Sequence, residues 1–393
     1  MPALQPVFDF DSHYYEPAEA FTRHQDPSLG NRGVRWAEVD GRRRLLVGGT
    51  VNTYIANPTF DPVSRPGALY DWYRGNPKRV GIKDAFGELE PIRPAYRDRD
   101  ARLATMDEQG VAATLLFPTL GVGMEDALKN DPSAAAKVFH AFNQWLDEDW
   151  GYCYKGRLFA VPCISFLDPT EAAAELRAVL DAGAGVVNIR NAPVPVPGGY
   201  RSPFDRVYDP FWGLAAESGV IVATHAGLDG YDALVSMWEP GSVESSLFRS
   251  PLRGVLTKAR AVSDFYGAAL CQLLFERFPA LRLASVENGA SWIPDLLHRL
   301  DDAANRNPGY FAQHPRDVFG EHVWVTPFWE DSVPDLLDDV RVDRLLLGSD
   351  WPHAEGVPNP VDFVTETLGT LDEDQIRRIA RDNAVELLGV ALP

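Results

Sequence analysis

Asp11, His13 and Glu16 stand within six residues of one another, in Phe8-Asp9-Phe10-Asp11-Ser12-His13-Tyr14-Tyr15-Glu16-Pro17. Alternation along a strand sets Asp9, Asp11 and His13 on one side and Phe8 and Phe10 on the other. Pro17 ends that strand, because proline cannot donate to a sheet ladder. Four further side chains of the same kinds, His225, Glu287, Asp350 and His353, stand at or just beyond the ends of later apolar runs. Carboxylates and imidazoles brought together suit a hard or borderline metal ion. Without such an ion, gathering so many polar groups in one interior would be costly.

The elements that must position them follow a regular beat. Apolar runs at 112–118, 158–162, 185–190, 220–225, 281–287, 323–326 and 345–350 alternate with helical stretches at 99–109, 134–150, 169–182, 210–218, 262–278, 292–305 and 333–338. A last helix is expected over 372–388. With the first strand this makes eight strands. Their continuous apolar character means that both faces are buried, as in a parallel sheet. Eight such units predict an α/β chain folded as a (β/α)8 TIM barrel, with its site at the C-terminal strand ends. No Gly-x-Gly-x-x-Gly follows the first strand, which removes the usual dinucleotide-binding alternative. Residues 1–25 read as the first strand and a short helix over 17–23, and 99–393 as the remainder of the barrel. Between them, 26–98 reads as an insertion with a hairpin arm near 41–49. A connection of that length is either a lid or a passive surface insertion.

Composition narrows the setting. The 393 residues carry 37 basic and 56 acidic side chains, a formal charge of −19. That opposes nucleic-acid binding and gives no reason to expect a membrane surface. No apolar run is long enough to span a bilayer. The three cysteines (Cys153, Cys163, Cys271) lack metal-site spacing. With no secretion signal at the start, they fit a reducing cytoplasm.

Asp9-Phe10-Asp11-Ser12-His13, Thr224-His225-Ala226-Gly227, Glu287-Asn288-Gly289-Ala290-Ser291-Trp292-Ile293-Pro294 and Gly348-Ser349-Asp350-Trp351-Pro352-His353 together resemble the amidohydrolase superfamily. The nearest branch is the amidohydrolase-related group that includes ACMSD-type decarboxylases. The chain departs from the common pattern. Asp11-Ser12-His13 replaces the first-strand His-x-His, Glu16 is added, strand four ends near Arg190 with no lysine to carboxylate, and Glu287 stands where many members place a histidine. More carboxylates and fewer imidazoles move the metal preference from zinc toward iron or manganese.

Such an Asp-x-His-x-x-Glu opening is similar to a small branch resembling the TIM-barrel non-heme diiron monooxygenase of platensimycin and platencin biosynthesis. That resemblance implies two iron ions held by Asp11, His13, Glu16, His225, Glu287, Asp350 and His353. It also implies O2, an unnamed electron donor, and hydroxylation of an unactivated carbon on an acyl or terpenoid substrate of secondary metabolism, linked to coenzyme A. A homo-oligomer is compatible with it. The alternative is a hydrolase or decarboxylase with one zinc or manganese. Asn188 and Asn288 are expected to support the ligands, His353 either to bind metal or to orient Asp350, and Tyr14 and Tyr15 to wall the site. Arg42, Arg43, Arg44, Lys78 and Arg79 are either partners for coenzyme A phosphates or a solvated charged face.

Overall fold

A computed structural model describes residues 5–240 and 250–392. Seven parallel strands form most of a barrel: β1 (Val7–Tyr14), β2 (Val111–Pro118), β3 (Leu158–Ala160), β4 (Val186–Ile189), β5 (Ile221–His225), β6 (Arg282–Val286) and β7 (Val323–Val325). β1 pairs with β2 and β2 with β3, while β4 to β7 pair in sequence. Single bridges continue the ring at Cys163–Asn188 between β3 and β4 and at Val325–Leu345 beyond β7. Residues 345–350 are the eighth stave. They are held on one side by Leu346 N to Val325 O at 2.9 Å, and on the other by Phe10 N to Leu347 O at 2.8 Å. The eightfold beat of the sequence is therefore the architecture of the molecule.

Two apolar layers hold it together. Phe8, Phe10, Leu115, Phe117, Phe159 and Ile221 fill the barrel interior, joined by Ala384 and Leu387 of the helix Asn383–Leu388. A larger layer lies between the strands and the surrounding helices. Those helices start where an aspartate can accept from free backbone N–H groups. Asp98, Asp131 and Asp168 cap Arg99–Gln109, Pro132–Asp149 and Pro169–Asp181 in this way.

The pattern in β1 differs from plain alternation. Its register on β2 runs Phe8–Ala113, Asp9–Thr114, Ser12–Leu116 and His13–Phe117, so one extra residue lies between Asp9 and Ser12. A bulge of this kind reverses the facing of the residues beyond it. Phe8 and Phe10 face the interior, yet Asp11 and His13 share that side. Asp9 faces outward with Val7, Ser12 and Tyr14. The apolar plug and the polar site thus come from the same face of one strand, at successive depths.

Residues 17–23 form turns rather than the expected helix. Only Arg23 N to Glu19 O makes the spacing of an α-helical bond there. The hairpin arm is present and has a third strand: Val34–Val39, Arg42–Val47 and Thr50–Val51 pair antiparallel. Among the described residues, no helix is long and apolar enough to cross a membrane.

Candidate metal centre

β1, β5, β6 and the eighth stave bring six of the seven expected side chains to the mouth of the barrel. Asp11, His13, His225 and Glu287 form one group of converging ligand atoms, and His13, Glu287, Asp350 and His353 form a second. His13 Nε2 lies 3.4 Å from Asp11 Oδ1, 3.3 Å from Glu287 Oε2 and 3.2 Å from Asp350 Oδ1. His225 Nε2 lies 3.4 Å from Asp11 Oδ1 and 2.9 Å from Glu287 Oε2. Asp11 Oδ1, both ring nitrogens of His13 and His225 Nε2 are buried without a hydrogen-bond partner.

Polar atoms in this state are rare unless something else completes them. Ligands about 2.1 Å from a common ion stand about 3.0–3.4 Å apart along the edges of an octahedron or tetrahedron. The spacings among Asp11, His13, His225 and Glu287 match such a cage, so these four residues fit a single divalent ion.

Backbone geometry supports this placement. Glu287 (φ 52°) and Asp350 (φ 56°) both adopt the left-handed conformation, which non-glycine residues rarely accept outside functional sites. Gly348 has no room for a side chain, because a Cβ there would lie 2.7 Å from Asp11 Cβ. The eighth stave can therefore approach β1 closely. Asp9 pins the two together, accepting from Ser349 N at 3.0 Å and from Ser349 Oγ at 2.6 Å. Buried Arg102 pins the same junction from outside. It donates to the His13 carbonyl, to Ser12 Oγ at 3.0 Å and to Ala95 O at 2.9 Å, and its guanidinium lies 4.4 Å over Trp351. Neither role could be read from spacing. Ser349 beside Asp350 was the only hint.

Neighbouring contacts orient the ligand candidates. His225 Nδ1 donates to Ala226 O at 2.7 Å, which leaves Nε2 with its lone pair toward the cluster. Asn188 Oδ1 accepts from His225 N at 3.0 Å. Asn288 Nδ2 donates to Thr224 O at 2.8 Å and its Oδ1 accepts from Asn191. Both ring nitrogens of His353 are engaged, Nδ1 with Asp350 Oδ1 at 2.6 Å and Nε2 with Thr119 Oγ at 2.9 Å.

Glu16 stands apart. Its Oε1 accepts from Leu120 N at 2.8 Å and Gly121 N at 3.0 Å, in the loop after β2. It belongs to neither converging group. It lies beyond the end of β1, where the chain has turned toward that loop. His140 pairs with Glu175 on the surface, at 2.8 Å. Tyr15 lines the cavity, whereas Tyr14 packs outward against Trp145 and Trp150.

Without an ion the cluster traps protons. Burial lowers the His13 pKa, but Asp11, Asp350 and Glu287 outweigh it and hold it well above the ordinary imidazole value. His225 reaches about 9 despite burial, through Glu287 and Asp11. Burial, then the Glu287 charge, raise Asp350 well above the carboxylate range. Burial, then the positive charge of His13, draw His353 down to about 4.

Above the cluster opens a cavity of about 450 Å³. His13, His225, Glu287 and His353 form part of its floor, and Tyr54, Ile55, Phe60, Val63, Phe86 and Leu89 of the 26–98 segment form much of its wall. Arg42, Arg43, Arg44, Lys78 and Arg79 are not among its lining residues. Arg43 lies over Trp36, and Lys78 pairs with Asp71.

A family profile described as amidohydrolase matches residues 87–390. The crystal structure of an amidohydrolase from Mycobacterium avium subsp. paratuberculosis K-10 is similar, with a TM-score of 0.93 and 41% identity over 99% of each chain. A dihydroxybenzoic acid decarboxylase from Polaromonas sp. JS666, with bound manganese and 2-nitroresorcinol, has a TM-score of 0.57 and 19% identity over 82% of this chain and 93% of that one. The 2,6-dihydroxybenzoate decarboxylase from Rhizobium has a TM-score of 0.56 and 20% identity over 84% and 97%. At such identity these two show the fold alone. No curated protein matches the chain.

Proposed function

The chain belongs to the amidohydrolase family, and from that membership we propose that it is a metal-dependent hydrolase or decarboxylase working with one manganese or zinc ion. The observation that carries this reading is that buried His13 Nε2 and His225 Nε2, both without a hydrogen-bond partner, stand 2.9–3.4 Å from carboxylate oxygens of Asp11, Glu287 and Asp350. Asp11, His13, His225, Glu287 and Asp350 would hold the ion. Three oxygen donors among five favour manganese, the metal bound in the Polaromonas decarboxylase. When bound, the ion polarises a substrate carbonyl or carboxylate and lowers the pKa of a coordinated water.

The chain's own residues do the rest. His353 fixes the Asp350 carboxylate through Nδ1 and is itself held by Thr119. The 26–98 segment supplies a largely apolar wall to the cavity above the ion site. The test is to strip metal, reload with manganese, zinc or iron singly, and measure CO2 release, ester or amide hydrolysis, and O2 uptake. Manganese- or zinc-restored hydrolysis or decarboxylation supports the reading. Turnover that needs iron and consumes O2 refutes it.

One observation favours a second reading, the diiron monooxygenase. The ligand-capable atoms fall into two groups that share His13 and Glu287, which is the arrangement two adjacent ions would use. A second ion would have to displace the hydrogen bonds now made by both His353 nitrogens. Glu16 Oε1 is held by Leu120 N and Gly121 N, and its buried, unpartnered Oε2 lies outside both groups. The one-ion reading leaves the His353 bonds intact.

A further inference from the structure

We infer that Arg190 holds a carboxylate of the substrate remote from the carbon that reacts, so that the ion grips one end of the molecule and this guanidinium the other. This rests on the metal-dependent reading above and adds the substrate class. The first ground is the guanidinium itself. β4 gives the metal site no ligand and is followed at once by Arg190, whose side chain is only 10% exposed. Two of its nitrogens are fixed: Nε donates to Leu228 O at 2.7 Å and Nη2 to Asp126 Oδ1 at 3.2 Å. Nη1 is buried without a hydrogen-bond partner. A buried charged donor in this state is costly unless an acceptor completes it. The neighbouring carboxylates do not. Glu125 Oε1 stands 3.7 Å from Nη1, beyond hydrogen-bond reach, and Glu125 Oε2 accepts from Phe166 N at 3.2 Å. Asp126 is shared with Lys129, whose Nζ lies 3.1 Å from Oδ2.

The second ground is the space. A chamber of about 30 Å³, lined by Cys163, Asn188, Arg190 and Asn191, adjoins the large cavity along Val122, His225 and Gly227. It has room for about one water, so it admits the oxygen of an acid arm and not a ring. Gly230 leaves the guanidinium its place, since a Cβ there would lie 2.5 Å from Nη2. His225 belongs to both spaces: its Nε2 faces the ligand cluster, and the residue also borders the chamber. A substrate whose reacting carbonyl or carboxylate meets the ion can therefore offer a second carboxylate to Arg190, as a charge-assisted hydrogen bond. Its apolar remainder lies in the large cavity.

A chain-length series tests this: glutarate, adipate, pimelate and suberate, each against its monomethyl ester, by calorimetric titration into full-length protein whose metal content is measured first. At least one diacid is expected to bind about tenfold tighter than its ester. Arg190→Gln is expected to bring that ratio to about one with metal content unchanged. Lys83→Met, at the exposed mouth of the large cavity, is expected to leave the ratio as in the parent. Equal binding of every acid and ester by the parent, as a chamber that holds only water would give, overturns the inference alone. So does a preference that survives Arg190→Gln or is lost in Lys83→Met, or an Arg190→Gln protein that weakens acid and ester alike. A protein that holds no divalent metal overturns the metal reading and this inference with it.

Discussion

Arg102→Met removes the guanidinium that ties the metal-facing end of β1 to its surroundings while keeping the apolar stem. Three buried acceptors lose their donor: the His13 carbonyl, Ser12 Oγ and Ala95 O. Bonds from a charged donor contribute about 1.5–3 kcal/mol each, and removing the buried charge returns part of its desolvation penalty. The net loss is about 3–5 kcal/mol. With an unfolding entropy of about 2.1 cal/mol/K per residue over 393 residues, the expected fall in Tm is about 4–6 °C. The freed His13 carbonyl lets the imidazole drift, so manganese affinity should fall about tenfold. Differential scanning fluorimetry with and without manganese reads the first effect, and calorimetric titration the second. A Tm within about 1 °C of the parent, with unchanged manganese affinity, would refute the clamp.

Burial holds the Glu16 carboxyl at about 7 in the folded protein, against 4.5 for an ordinary glutamate. The folded state therefore keeps a proton the unfolded chain has lost, and stability falls as pH rises from about 4.5 to 7, by about 3 kcal/mol in all. Glu16→Gln, compared by urea unfolding at pH 5 and pH 8, should lose that dependence without changing metal content. His353→Gln frees Asp350 and should weaken manganese binding about 10–100-fold by titration. Because metal-free His13, His225 and Asp350 retain protons, manganese binding should strengthen with rising pH and release protons, visible as a buffer-dependent binding enthalpy. Manganese at 100 times its Kd should add about 2.7 kcal/mol, raising Tm by about 3 °C, and EDTA should reverse the gain.

The barrel was legible because continuous apolar runs such as Ala112–Phe117 and Val220–Ala223 have one physical explanation, burial on both faces. His225, Glu287 and Asp350 were legible because they follow such runs directly. The bulge in β1 was not, since the sequence of one strand does not contain its pairing with Val111–Pro118. Strict alternation therefore set Asp11 and His13 opposite Phe10, although all three face inward. Glu16 shares a short motif with Asp11 and His13, yet it lies two residues past the end of β1, where its carboxylate meets the amides of another loop. The seven-ligand count behind the two-iron expectation depended on that motif staying together. The amidohydrolase family match and the 41% identical amidohydrolase fit the hydrolase or decarboxylase alternative better than the monooxygenase. The clamps by Asp9 and Arg102 depend on partners about 340 and 90 residues away, beyond the reach of local spacing.

The central claim is one divalent ion caged by Asp11, His13, His225, Glu287 and Asp350. Elemental analysis of protein produced with iron, zinc and manganese all available, reported per chain, tests it directly. The expected result is close to one manganese or zinc per chain, lost in Asp11→Asn and retained in Glu16→Gln. Close to two irons per chain, or an ion lost with Glu16→Gln, would contradict it.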